Sequence, residues 1–147
     1  MPKVLMTILG FVFAISTSAH GQELFTVSGE INFHEEMGEF QVQLKTEYEL
    51  ENAVTTIPTS RNLLIKPNAN QLKAKKFSFK FVDVPAGTYS IYCLHDLNKN
   101  GKMDRVPETG FPTEPFTYSG MLLYGTGMWE DLSFKVDKNV GGIEIKF

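Results

Sequence analysis

The run Phe77-Ser78-Phe79-Lys80-Phe81-Val82-Asp83-Val84-Pro85-Ala86-Gly87-Thr88-Tyr89-Ser90-Ile91-Tyr92-Cys93-Leu94-His95 decides the fold. Phe77, Phe79 and Phe81 alternate with Ser78, Lys80 and Val82, the two-residue period of a strand with one buried face. Val84-Pro85-Ala86-Gly87-Thr88 reads as a tight turn, with Pro85 fixing φ and Gly87 supplying a positive one. From Tyr89 to His95 the residues are apolar or uncharged on both faces, which predicts a central strand covered on both sides. Tyr89, Ile91 and Cys93 then point inward.

The same alternation extends away from this run in both directions. Upstream, Phe25, Val27, Gly29, Ile31 and Phe33 form one strand, and Phe40, Val42 and Leu44 begin another after a polar turn at His34–Glu39. Downstream, Leu132, Phe134 and Val136 alternate, and Ile143, Ile145 and Phe147 close the chain. Residues 46–72 resist assignment, because Pro58 and Pro67 interrupt them and Leu63-Leu64-Ile65 is too short to decide between helix and strand. No apolar stripe persists at helical spacing for three turns. The pattern predicts an all-β fold, an antiparallel β-sandwich of about seven strands, immunoglobulin-like or prealbumin-like. An outer-membrane barrel is the rival for the closing strand, but it needs at least about eight strands of ~9–11 residues each.

Composition narrows the function. The chain has 147 residues, 14 basic against 17 acidic, and a single cysteine. That length supports one domain, placed at residues 22–147. The acidic balance supplies no electrostatic footprint for nucleic acid. A lone Cys93 forms neither an internal disulfide nor a thiolate zinc site.

Lys3, the apolar run Val4–Ile15 and the small residues Ser16–Gly21 together predict a cleaved signal peptide over residues 1–21. Cleavage after Gly21 is expected, with cleavage after Ala19 the close alternative. Twelve apolar residues fall short of the ~20 that span a bilayer, so the chain is not expected to be membrane-spanning. The expected destination is the periplasm or the extracellular space of a bacterium.

One loop carries candidate chemistry. In Asp96-Leu97-Asn98-Lys99-Asn100-Gly101-Lys102-Met103-Asp104, oxygen-bearing side chains fall at positions 1, 3, 5 and 9, with glycine at 6. A curled loop of this spacing turns alternate side chains and the Lys102 carbonyl toward one centre, a geometry suited to calcium. Position 12 is Pro107 instead of the usual bidentate Glu, which leaves Glu108 and Glu114 as further potential ligands. Two readings stand side by side: a weak calcium site at Asp96, Asn98, Asn100, Lys102 and Asp104, or a structural turn built on Asn100-Gly101. The following run, Gly110–Gly120, is stiffened by Pro112 and Pro115 and is expected to fold over the sandwich as an ordered loop.

Phe81–Tyr89, then His95-Asp96 opening the Asn-rich loop, then Gly110-Phe111-Pro112-Thr113-Glu114-Pro115, resembles a bacterial exported family catalogued as domain of unknown function 2141. The resemblance implies an extracytoplasmic β-sandwich of unassigned activity. The Pro85–Tyr89 turn alone is also similar to carboxypeptidase-regulatory-like and prealbumin-like modules. Neither likeness supplies a catalytic residue.

The expected role is therefore a binding or accessory module for a protein or glycan partner. A purely structural domain without an ion is the alternative, and a small hydrolase using His95 with Ser119 or Cys93 is a further one. Against the hydrolase, His95 and Asp96 are strand neighbours and project to opposite faces. Lys73, Lys75, Lys76 and Lys80 read as a solvated strand face that protects an edge.

Overall fold

The computed structural model describes residues 21–120 and 127–147. The expected signal peptide lies, apart from Gly21, outside the described residues. Eight strands occur among the described residues: β1 Leu24–Asn32, β2 Glu39–Lys45, β3 Asn62–Ile65, β4 Lys76–Pro85, β5 Gly87–Asp96, β6 Phe116–Tyr118, β7 Phe134–Val136 and β8 Val140–Lys146. Three short helices join them, α1 Glu47–Glu51, α2 Ala69–Ala74 and α3 Trp129–Leu132, together with a 3-10 turn at Thr59–Arg61.

The strands divide into two sheets. One has the order β4-β1-β8, with β4 antiparallel and β8 parallel to β1. The other has the order β3-β2-β5-β6, and β7 pairs with the first residues of β5. Val27, Ile31, Phe77, Phe79, Phe81, Val84 and Ile145 from the first sheet meet Phe40, Val42, Leu44, Tyr89, Ile91 and Cys93 from the second in one core. Such burial of apolar faces between two sheets is what a sandwich-like all-β fold requires.

β5 is central, as its sequence predicts. β2 pairs with Ser90–Asp96, β6 with Tyr92–Leu94 and β7 with Gly87–Tyr89. Its inner residues Ile91 and Cys93 are fully buried, and so are the outer residues Ser90 and Asp96.

The passage from β4 to β5 differs from the expectation in a way that backbone geometry explains. The two strands belong to different sheets, so Pro85-Ala86-Gly87 is a corner between layers. Tyr89 Oη donates to Pro85 O at 3.1 Å and ties the corner shut. Gly87 does not adopt the expected positive φ; Asp83 does, at 55°. Between the pairs Val27↔Phe81 and Phe25↔Val84, β4 carries one residue more than β1, which marks a bulge at Val82-Asp83. The bulge resets the alternation, so Phe81 and Val84, three residues apart, are both buried.

Gly29 is required by close approach. A Cβ there would stand 2.0 Å from Ile143 O and 2.8 Å from the Phe79 ring. The Phe79 ring thus covers its cross-strand glycine and seals the middle of the first sheet.

Three further expectations are corrected. Residues 46–72 hold α1, the 3-10 turn, β3 and α2, and Leu63-Leu64-Ile65 is strand. The Gly110–Gly120 run is not loop throughout, because Phe116–Tyr118 forms β6 against β5. The lysine cluster is not one strand face: Lys73 lies in α2, Lys75 caps it with φ 54°, and only Lys76 and Lys80 belong to β4.

Candidate ion-binding loop at the end of β5

Asp96 is the last residue of β5, and its side chain turns forward into the loop. Oδ1 accepts the Asn100 N–H at 3.1 Å and Oδ2 accepts the Gly101 N–H at 2.7 Å. Asn98 Oδ1 accepts the same Asn100 N–H at 3.0 Å, and Asn100 Oδ1 accepts the Lys102 N–H at 3.0 Å. These are successive turns in which a short polar side chain bonds its own backbone two residues on. Lys99 and Gly101 take positive φ, 63° and 83°, which lets the chain curl.

The curl closes on Asp104. Its Oδ2 accepts from the side-chain amides of both Asn98 and Asn100, the second at 2.8 Å. Those two amides, Asn100 first, hold the Asp104 carboxyl below its ordinary range. Four of the five expected ligand residues, Asp96, Asn98, Asn100 and Asp104, therefore belong to one hydrogen-bonded network. Lys102 enters it through its backbone N–H, with its side chain exposed.

The two glutamates separate in role. Glu108 sits on an exposed turn, away from this network. Glu114 is buried; its Oε1 accepts the Leu97 N–H at 2.9 Å and its Oε2 accepts the Asp104 N–H at 3.1 Å. It braces both ends of the loop and turns onto backbone instead of toward the loop centre. Backbone bonds continue the brace, from Thr113 N to Asp104 O and from His95 N to Pro115 O, both at 2.9 Å. The sequence offers Glu114 as a further ligand; its backbone partners, ten and seventeen residues away, leave no local signal.

Among the described residues, no three His, Cys, Asp or Glu side chains gather into a metal-holding group. The loop brings two carboxylates and two amides. That donor set is hard and all-oxygen, fitting calcium and not zinc. A half-turn of each Asn amide about χ2 would set oxygens against Asp104 Oδ2, at the loss of the bonds that those oxygens accept from the Asn100 and Lys102 N–H groups.

His95 lies at the back of this loop and is engaged elsewhere. Its ring stacks on Phe40 at 4.0 Å, and Nε2 lies 2.6 Å from Met37 O. Burial pushes its pKa down. The Ser119 hydroxyl donates to Leu132 O and accepts the Ile91 N–H, both at 2.8 Å, and lies against Ser90 Oγ at 3.3 Å. Cys93 is fully buried and burial pushes its thiol pKa up, which suppresses the nucleophilic thiolate.

Fold and loop together define a class: a two-sheet, all-β domain that carries a braced Asp/Asn loop at the end of its central strand. The chain belongs to the family described as an uncharacterized protein conserved in bacteria (DUF2141), whose model matches residues 31–143. No curated protein and no solved structure matches the chain, and no comparison shows the expected similarity to carboxypeptidase-regulatory-like and prealbumin-like modules. Among the described residues no helix is long and apolar enough to cross a membrane.

Proposed function

We propose that this protein is an exported bacterial accessory module that binds a protein or glycan partner, and that the 96–104 loop holds a weakly bound calcium ion. The observation that carries the ion is the network joining Asp96, Asn98, Asn100 and Asp104 inside a loop closed from behind by Glu114. Calcium would take the place of the amide hydrogens now turned onto Asp104, with the Lys102 carbonyl as a further ligand. Two neutral amides and the proline at position 107 favour an affinity in the range of extracellular modules, about 0.1–1 mM. The apolar run before residue 21 supports export.

Thermal unfolding tests the ion. At ~1 mM free calcium and a Kd of ~0.1 mM, linkage stabilises the folded state by about 1.4 kcal/mol. That raises the Tm by roughly 3–6 °C for a chain of this size. Asp96→Ala or Asp104→Ala removes the calcium-dependent part, and Lys102→Ala leaves it. An unchanged melting curve from chelator to saturating calcium, with no heat of binding, makes the loop a structural turn. The structural reading has its own support, since the oxygens of Asp96, Asn98 and Asn100 already accept backbone N–H groups.

A further inference from the structure

We propose that Asn100 is a self-modifying residue, converted by attack of the Gly101 backbone nitrogen on its side-chain amide into aspartate and isoaspartate. Three features of the folded loop meet at this one peptide bond.

The attacking nitrogen is unhindered. Gly101 has no side chain, and the position a Cβ would occupy has nothing within 4 Å, so no side chain, its own or a non-adjacent residue's, crowds that side of the nitrogen. The attacking N–H is also the donor to Asp96 Oδ2 at 2.7 Å, which places a carboxylate against the proton that must leave. The carbonyl under attack is polarised, because Asn100 Oδ1 accepts the Lys102 N–H at 3.0 Å, where negative charge develops in the tetrahedral intermediate. A proton acceptor on the attacking nitrogen and a donor on the amide oxygen are thus both held at one Asn-Gly step by the fold itself. Asn100 and Gly101 are exposed, so water reaches the product ring.

The chemistry balances with water as the one co-reactant. A bond forms between Gly101 N and Asn100 Cγ while the Gly101 proton passes to Asp96. The Cγ–Nδ2 bond then breaks, and the departing nitrogen takes that proton through water and leaves as ammonia. Water opens the resulting succinimide at either carbonyl. Opening at the former side-chain carbon gives aspartate, and opening at the former main-chain carbon gives isoaspartate. Nothing is oxidised or reduced, and no metal takes part.

Asn98 is the internal control. It lies in the same loop and makes the same kind of turn, but Lys99 follows it and carries a side chain beside the attacking nitrogen. Conversion at Asn100 adds a negative charge between Asp96 and Asp104, so the loop's charge rises with the age of the molecule.

The test is peptide mapping by mass spectrometry after incubating the purified full chain at neutral pH in chelator, folded or unfolded in urea. We expect Asn100 to convert at least about a hundredfold faster in the folded protein, the low end of general-base contributions, with Asn98 left intact. Asp96→Asn removes the proton acceptor, keeps one of the two oxygens that accept loop N–H groups, and should bring the folded rate down to that in urea. A folded rate no faster than the urea rate overturns the proposal, and so does equal conversion of Asn98. The comparison of folded with unfolded wild type decides the matter even if Asp96→Asn does not fold. Chelator keeps the result independent of the calcium reading.

Discussion

Gly38 shows how one residue conditions the end of the central strand. It takes φ 95°, and a Cβ there would stand 2.7 Å from Asp96 O and 2.9 Å from His95 Nε2. Gly38→Ala is expected to cost about 1–3 kcal/mol in urea denaturation, because it strains the backbone and displaces the residue that opens the loop. If the loop holds calcium as proposed, replacing Asn100 by Asp adds a charged ligand, and calorimetry should show binding tighter by roughly tenfold. His95 supplies a pH dependence with a definite sign. Burial holds its folded pKa below the ordinary 6.5, so the unfolded chain binds the proton more readily. Its contribution is complete above the unfolded value and is lost as pH falls below that value toward the depressed folded one. Urea midpoints should begin to drop as pH falls below about 6.5, and His95→Gln should lose that component. The loop residues were legible because their spacing is local. Met37 was not, since its carbonyl meets His95 across 58 positions of sequence.

The stretch between β2 and β4 is held by an ion pair that no local pattern announces. Arg61 makes a two-pronged contact with Glu49, at 2.7 and 2.8 Å, and also donates to Leu44 O at 2.9 Å. It locks α1 and the 3-10 turn onto the end of β2. Hydrogen bonds from Arg61 hold the Glu49 carboxyl down to about 2. A depressed carboxylate stabilises fully above its unfolded value and loses that support as pH falls toward the folded one. Wild type should therefore weaken from about pH 4.5 down to about 2. Glu49→Gln should be less stable at neutral pH and flatter across that range. Arg61→Ala, which strands the carboxylate, should cost about 2–4 kcal/mol. Two helices did leave a signal: Thr46 with Glu49 and Asn68 with Gln71 have the spacing of a capping box, and both boxes form. Pro58, Pro67 and the brevity of each element obscured them. β3 has four residues whose burial alternates while the apolar run Leu63-Leu64-Ile65 does not, so its assignment depends on pairing with β2.

At the scale of the molecule, alternation gave the faces of the strands but not their partition between sheets. Phe77, Phe79 and Phe81 were readable as one buried row, whereas the bulge at Asp83 rests on a single residue in a left-handed conformation. The core they build is continuous across both layers, so Phe81→Ala should cost about 3–5 kcal/mol and lower the Tm measurably. The first strand is flanked by β4 on one side and, through Val27–Asn32, by residues 140–146 on the other. That parallel seam joins the first and the last strand among the described residues. A nascent polypeptide emerging head first carries β1 with one flank bare until the tail is free. The three-stranded sheet that β1 begins is complete only when the seven-residue β8 docks beside it.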